Sequence, residues 1–513
     1  MHTLEVDLLA GDRVLAFGHL QQGYWALARE CFNKILAMEP QNANIWFWVG
    51  ECNYRLKQWA AARMNFDQVI QNNARHGLAL ARRADCYMQE KNPERAILDL
   101  NEAIRLLSVA IGNSTDIQTQ QQAKVNLSYA YSLRGQFGLQ YGLENHAASC
   151  HCQILDDLSQ AVQLDPLNAD AFVALGTYHA EVKAWGEAIK AFSEAIKLKP
   201  DVVTLKFWRG MSCVEDKKYN NAVEDFSAYL QARPDQGFAL NYRAHAYVGM
   251  GKWENAMADY QKAARLGLKP DALTYYGCAR CLLELGQTER ALTCADACLS
   301  MGGGMSLYAH ALMARGRALF ELGQYGESVA AMSESIRLLE EAGEDAIPAT
   351  YYRNQGKALA RANRLEEAIL SLSKAIGRDA ADADAYHWRG LCRMCVRRLQ
   401  AALEDFDAAI AINQELAGFY AGRGLCLMHR GYLVQSIEDL TRALELDGQL
   451  AWAYWYRSKA LMRQGDYWGA LADVNSLLAL PANKLSPLLE EVKMATIEKR
   501  CAFCQRQVSR RAN

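Results

Sequence analysis

A small residue, a second small residue twelve positions on and a bulky apolar residue four positions after that recur through almost the whole chain, with a period of about 34 residues. Gly176, Ala188, Phe192, Ala195 and Pro200 form one copy; Gly210, Ala222, Phe226 and Pro234 form the next. The first small residue runs Ala16, Gly50, Ala84, Gly176, Gly210, Ala244, Ala279, Gly316, Gly356, Gly390, Gly424, Ser458. The second begins Ala28, Ala62, Ala96 and ends Ala402, Ser436, Ala470, and the bulky residue begins Phe32, Phe66, Leu100 and ends Phe406, Leu440, Val474. Small against large lets two helices approach to about 8–10 Å between axes. The period therefore predicts paired helices stacked side by side, an all-α array with a long exposed face.

The punctuation agrees. Gly23, Gly251, Gly286, Gly323, Gly431 and Gly465 follow the first helix of a pair, where a left-handed backbone is needed. Pro40, Pro166, Pro200 and Pro234 separate one pair from the next. Three stretches break the register: residues 108–166, the run Gly302, Gly303, Gly304, and the loop before Pro348. At the end of the chain, Ser486 is expected to cap a helix whose first residue is Pro487, with Leu488, Leu489, Val492 and Ile497 as its apolar stripe.

Composition narrows the function classes. With 51% hydrophobic residues and 9 prolines in 513 the chain is expected to be ordered. A formal net charge of −2 gives no global pull toward nucleic acid or an anionic membrane. No run of 18 apolar residues and no leader-like N-terminus are present, so a membrane span and secretion are not expected. The fifteen cysteines then read as reduced thiols. Cys52, Cys86, Cys281, Cys392 and Cys426 share one slot, two residues after the first small residue, which elsewhere holds a small side chain, Tyr178 excepted, so cysteine is expected there as a small hydrophobe.

These copies, most clearly residues 169–200, 203–234 and 383–414, resemble the tetratricopeptide repeat family over roughly residues 12–482. The resemblance implies a right-handed α-solenoid superhelix of about 13 helical hairpins, here with a C-terminal capping helix. The expected organisation is repeats one to three in 9–107, an irregular fourth repeat with an insertion in 108–168, repeats five to thirteen in 169–482, and a capping helix with a basic tail in 484–513. It also implies an inner groove lined by the second, fifth, ninth, twelfth and thirteenth residues of each first helix, offsets that share one helical face.

Those offsets give three zones. The first holds Arg13, Phe17, Phe47, Glu51 and Tyr54; the middle is basic, with Arg280, Arg317, Arg353, Lys357 and Arg361, tempered by Glu284 and Glu321; the last holds Met394, Met428, Trp452, Trp455, Lys459, Met462 and Arg463. The expected ligand is a peptide, preferring acid at the centre and apolar residues toward the C-terminal end. The family's carboxylate clamp for chaperone tails is absent as a motif: Met313 and Arg317 stand before Asn354 where Lys and Asn are required.

Chemistry-bearing motifs are few. No phosphate loop, nucleophile elbow or His-Glu-x-x-His occurs. Cys278/Cys281 and Cys392/Cys395 fall mostly at packing positions, and Cys501/Cys504 sit in a tail expected to be exposed. His146, Cys150, His151 and Cys152 are the best metal candidates by residue type, yet no metal, cofactor or catalytic residue is expected. The expected function is that of a non-enzymatic scaffold or adaptor, cytoplasmic, that holds other proteins through acidic or amphipathic peptide segments within a multiprotein assembly; with only a short stretch after the last repeat, an appended enzyme domain is not expected. Alternatives are a ciliary, axonemal or transport-complex subunit, a co-chaperone, and an RNA-binding helical repeat, the last opposed by the neutral charge.

Overall fold

The computed structural model describes residues 2–141, 148–343, 347–489, 492 and 494–512, excepting the side chains of 2–10, 148–150, 486–489, 494–495 and 511–512. It forms two compact units, Met1–Lys252 with Arg265–Gly267, and Trp253–Ala264 with Leu268–Asn513. The irregular stretch 108–168 lies inside the first unit. Among the described residues every regular element is a helix.

The first unit contains α1 (His2–Gln21), α2 (Trp25–Met38), α3 (Ala43–Arg55), α4 (Trp59–Asn72), α5 (Gly77–Gln89), α6 (Pro93–Asn113) and α7 (Ile117–Tyr141). It continues with α8 (Ala148–Leu164), α9 (Ala169–Glu181), α10 (Trp185–Leu198), α11 (Val203–Glu215), α12 (Tyr219–Ala232) and α13 (Gly237–Gly249). The second unit contains α14 (Trp253–Arg265), α15 (Ala272–Glu284), α16 (Thr288–Met301), α17 (Met305–Glu321), α18 (Tyr325–Glu341), α19 (Ala349–Arg361) and α20 (Leu365–Arg378). It ends with α21 (Ala383–Cys395), α22 (Leu399–Ile412), α23 (Ala417–Arg430), α24 (Leu433–Leu446), α25 (Ala451–Gln464), α26 (Tyr467–Leu478), α27 (Ala482–Leu489) and α28 (Met494–Ala512). The odd-numbered helices from α1 to α11 in the first unit, and from α15 to α25 in the second, are first helices of hairpins, each followed by its even-numbered second helix; α13 continues the series of first helices in the first unit.

The small residues set how closely each hairpin closes. A Cβ placed on Gly50, Gly176, Gly210 or Gly390 would come within 2.7, 2.8, 2.9 and 3.0 Å of the rings of Phe66, Phe192, Phe226 and Phe406. Aliphatic wedges are as close: 2.6 Å for Gly316 on Met332, 2.5 Å for Gly356 on Leu372 and 2.9 Å for Gly424 on Leu440. Where the second small residue is serine, its hydroxyl donates to the carbonyl oxygen opposite, Ser328 to Gly316 and Ser436 to Gly424, both at 2.7 Å. The five cysteines of the shared slot are buried, and burial pushes the thiols of Cys52, Cys86, Cys281 and Cys392 up to about 12, so they stay neutral packing groups.

The turn inside each hairpin uses one left-handed residue. Glycine holds it at Gly23, Gly251, Gly286, Gly323, Gly431 and Gly465; Lys57, Lys91, Lys183, Lys217, Asn363 and Arg397 adopt it with φ of 58–66°. There a Cβ opposes the backbone at a cost of about 1–2 kcal/mol.

A second column of contacts joins neighbouring hairpins. Arg83, Arg209, Arg389, Arg423 and Arg457 each precede the first small residue by one position, and each grips the aspartate 16 residues on with both ends of its guanidinium: Asp99, Asp225, Asp405, Asp439 and Asp473. The remaining nitrogen reaches back 16 residues to the preceding hairpin's second helix, to Asp67, Ser193, Ser373, Asp407 and Thr441 respectively, at 2.7–3.2 Å. One side chain thus clasps three helices. Gln355 does the same with Ser371 and Ser333.

The irregular fourth repeat proves to be a hairpin with longer helices. In α7 and α8 the close pair is Gly135 on Leu158 and the clasp is Arg134 on Asp157, both 23 residues apart instead of 16. The extra seven residues are about two helical turns, so the faces stay in phase. At the C-terminal end the helix expected from Ser486 instead begins at Ala482, because Pro481 supplies its fixed φ and accepts from the amides of Lys484 and Leu485. The tail is not an exposed strand of basic residues: α28 packs on α26 and buries Ile497, Cys504 and Val508 along one stripe.

Replacing Arg209 by Leu is expected to destabilise the first unit by about 3 kcal/mol, since the Asp225 carboxylate stays buried without its partner. The double change Arg209→Leu with Asp225→Ala, which copies the native pair Leu175 and Ala191, is expected to recover most of the loss; a double-mutant cycle by urea unfolding measures it. Lys217→Gly is expected to raise stability by about 1 kcal/mol in the same assay, by relieving the left-handed Cβ.

Candidate functional site

First helices of successive hairpins abut one another: α5 with α7, α7 with α9 and α11 with α13 in the first unit, and every neighbouring pair from α15 to α25 in the second. Each unit therefore presents a row of first-helix side chains repeated at the hairpin spacing.

In the first unit this face holds a buried polar network. Tyr54 and Tyr129 both donate to one carboxylate oxygen of Asp85, at 2.6 and 2.8 Å. Arg82 donates to the Tyr129 hydroxyl at 2.6 Å, pairs with Glu51 at 3.0 Å, and lies over the Tyr54 and Tyr129 rings. Burial first, and then the Asp85 charge, push both phenols well above their ordinary range, so they act as neutral donors. Beside the network an open cavity of about 400 Å³ is lined by Phe47, Trp48, Glu51, Arg82, Tyr129 and Lys199, among others. Phe47, Glu51 and Tyr54 thus come together as the offsets imply; Arg13 instead spans to Glu39 at 2.7 Å, and Phe17 leans edge-on to Phe32 and Trp48.

In the second unit the central cations are largely matched by the protein's own acids. Arg317 pairs with Glu284 at 2.8 Å, Arg353 with Asp382 at 2.9 Å, and Lys357 with Asp384. Asp382 is also the N-cap of α21, accepting from the Ala385 amide, which fixes its carboxylate in place. Arg280 lies over Trp253 and Tyr276, and Arg361 lies beside Lys357 over Trp388. Offset counting places these five cations and Glu284 on first helices but does not show Asp382 and Asp384, which come from the cap and first turn of the next hairpin.

The last zone differs from a row of open apolar anchors. Trp455 is 4% exposed and Met428 1%. Trp455 joins the core with Val474, Leu477, Leu485 and Ile497, and Arg500 of α28 stacks on its indole with the guanidinium carbon 3.2 Å from the ring centre. Trp452, half-exposed, stacks on Tyr456 at 5.6 Å. Lys459 and Met462 are half-buried, and Arg463 is exposed with one nitrogen 3.4 Å from the Met428 carbonyl oxygen.

Among the described residues no group of three His, Cys, Asp or Glu is placed to hold a metal. His146 and the side chain of Cys150 lie outside the described residues, and Cys152 is exposed. No helix among the described residues is long and apolar enough to cross a membrane.

His387, beside Trp388 on α21, is held between Phe406 and Phe419, and burial pushes its imidazole down to about 4. The folded ring refuses a proton that the unfolded chain accepts near pH 6.5, so this stabilisation is complete above pH 6.5 and lost as pH falls toward 4, by about 3 kcal/mol. Urea midpoints at pH 7 and pH 4.5 are expected to differ less in His387→Leu than in the wild type.

The model described as Tetratricopeptide repeat matches residues 15–66, 58–110, 155–201, 174–237, 243–297, 279–346, 313–383 and 353–417, more than half of the chain. Among solved structures the chain is similar to the APC/C hetero-tetramer Cut9-Hcn1, at 13% identity over 98% of each chain with a TM-score of 0.43. It is similar also to yeast Tom70, at 14% identity over 99% of this chain and 97% of that one with a TM-score of 0.34. A third is YrrB, described as a TPR protein with an unusual peptide-binding site, at 21% identity over 36% of this chain and 90% of that one with a TM-score of 0.30. A comparison by sequence with curated proteins gives no match.

Proposed function

Because this chain belongs to the tetratricopeptide repeat family, we propose that it is a non-enzymatic scaffold that holds partner proteins by peptide segments laid along the first-helix face. The observation that carries this reading is the unbroken contact of first helix with first helix from α15 to α25, which repeats the same side-chain offsets at each step. A row of that kind suits an extended or amphipathic segment better than a compact small molecule.

Partly exposed aromatic and cationic side chains are the contact groups. Arg280, Arg317, Arg353, Lys357 and Arg361 form the central stretch, and Trp452, Lys459, Met462 and Arg463 the end; Trp455 supports them from the core. Three of the central cations already hold a carboxylate, so an acidic segment there would exchange one ion pair for another, with little net gain. Aromatic and cation–π contact around Trp388 and Tyr276 is then the larger contribution.

Changing Arg317 and Arg361 together to Glu is expected to weaken capture of co-purifying partner proteins by at least about tenfold, or about 1.4 kcal/mol. Changing Lys190 and Lys197 together to Glu, on the second helix α10, is expected to leave it unaltered. Quantitative affinity purification with mass spectrometry reads both; equal effects of the two changes would overturn the reading.

A further inference from the structure

Positive charge without a carboxylate partner among the described residues gathers at the C-terminal end of the second unit. Lys459 and Arg463 stand one turn apart on α25. Arg463 reaches the Met428 carbonyl oxygen at 3.4 Å, which brings it beside His429 in the last turn of α23. From the other side Arg500 of α28 donates to the Trp455 carbonyl oxygen at 3.1 Å and to the Ser458 hydroxyl at 3.2 Å, next to Lys459. Three helices thus bring four basic groups to one patch. Among the described residues no ion pair joins Lys459, Arg463 or Arg500 to a carboxylate, in contrast to the matched cations of α17 and α19.

The cost of this crowding shows in the groups themselves. Burial depresses the Lys459 ammonium, and the Arg500 and Arg463 charges depress it further. Burial, then Arg397, Lys459 and Arg463, do the same to His429. Arg500 is pushed down to about 10 by burial. A bound anion would relieve all of them at once.

We propose that Lys459, Arg463, Arg500 and His429 form an anion subsite that receives the carboxylates of an acidic, extended peptide segment of a partner protein. This rests on the first-helix face being the docking surface. Lys459 and Arg463 are separated by about 6 Å along the helix axis, close to the roughly 6.6 Å between alternate residues of an extended chain. Acidic residues at alternate positions therefore meet the two cations in turn. The stacked pair Trp452 and Tyr456, about two turns and one turn before Lys459, offers the segment an aromatic surface on the same helix. A nucleic acid backbone is disfavoured, since the patch is short and the net charge of the whole chain is −2.

The test uses the full chain and a fluorescein-labelled peptide of alternating Glu and Gly, read by anisotropy. The Glu peptide is expected to bind, its Gln counterpart at least about tenfold more weakly, with affinity falling as salt rises. Arg463→Glu with Lys459→Glu is expected to weaken the Glu peptide by at least about tenfold, and Arg463→Glu alone, at an exposed position that leaves the core intact, by about threefold or more. Absence of Glu-peptide binding, or binding unchanged in both variants, overturns the subsite. A phosphoserine counterpart that binds tighter than the Glu peptide, or competition by millimolar inorganic phosphate alone, overturns the carboxylate assignment. Natural partners still captured by the double variant, yet lost on charge reversal of Arg317 and Arg361, sink this subsite while leaving the scaffold reading intact.

Discussion

Everything in this molecule depends on how closely the two helices of a hairpin can approach. That distance is set by a missing side chain facing a large one. At Gly210 the space a methyl group would need is already taken by the Phe226 ring. Dispersion contacts are short-ranged, so the full set is made only when the helices touch. Repetition then does the rest: each closed hairpin offers its neighbour the same shape, and the first helices fall into contact without a break from α15 to α25 in the second unit and over α5–α7–α9 and α11–α13 in the first.

Over this apolar base lies a polar one. The arginine clasp holds direction where dispersion cannot, because a forked guanidinium gripping a carboxylate has one favourable geometry. Its partners are largely withdrawn from water, as at Asp225, Asp405 and Asp473. Such pairs contribute little net stability compared with well-packed apolar residues, and their clearer role is to fix the register of one hairpin on the next. The columns change together at two joints of the chain, though not at Arg315, where Ala331 stands 16 residues on and the arginine pairs with Asp296 instead. Where arginine gives way to Leu175 or Cys278, the position 16 residues on is Ala191 or Cys294 instead of aspartate.

Most of the fold was legible from residue spacing, because the hairpin is local. Gly176 and Phe192 lie 16 residues apart and meet inside one unit of pattern. The clasp was equally legible in principle, as Arg at one position and Asp 16 later, but charged residues at a helix interface are easily read as a solvated face. The fourth hairpin escaped because its extra two turns shift Leu158 away from the expected spacing while keeping its face. The candidate site was read less well. Offsets along a helix place Arg353, Lys357 and Trp455, yet burial and pairing there are decided by groups distant in sequence: Asp382 29 residues on from Arg353, and Arg500 45 from Trp455. Those contacts depend on how hairpins stack, which a single-helix periodicity does not contain.

The clasp is not continuous, and its gaps have a mechanical meaning. At Leu175 and Cys278 neighbouring hairpins meet at this column without the forked ion pair. Contacts of that kind resist separation but hardly resist sliding, since no atom has a preferred partner. A load that bends either unit will therefore be taken up as shear at unclasped joints such as α9 and α15, while the clasped stretches turn as stiff blocks.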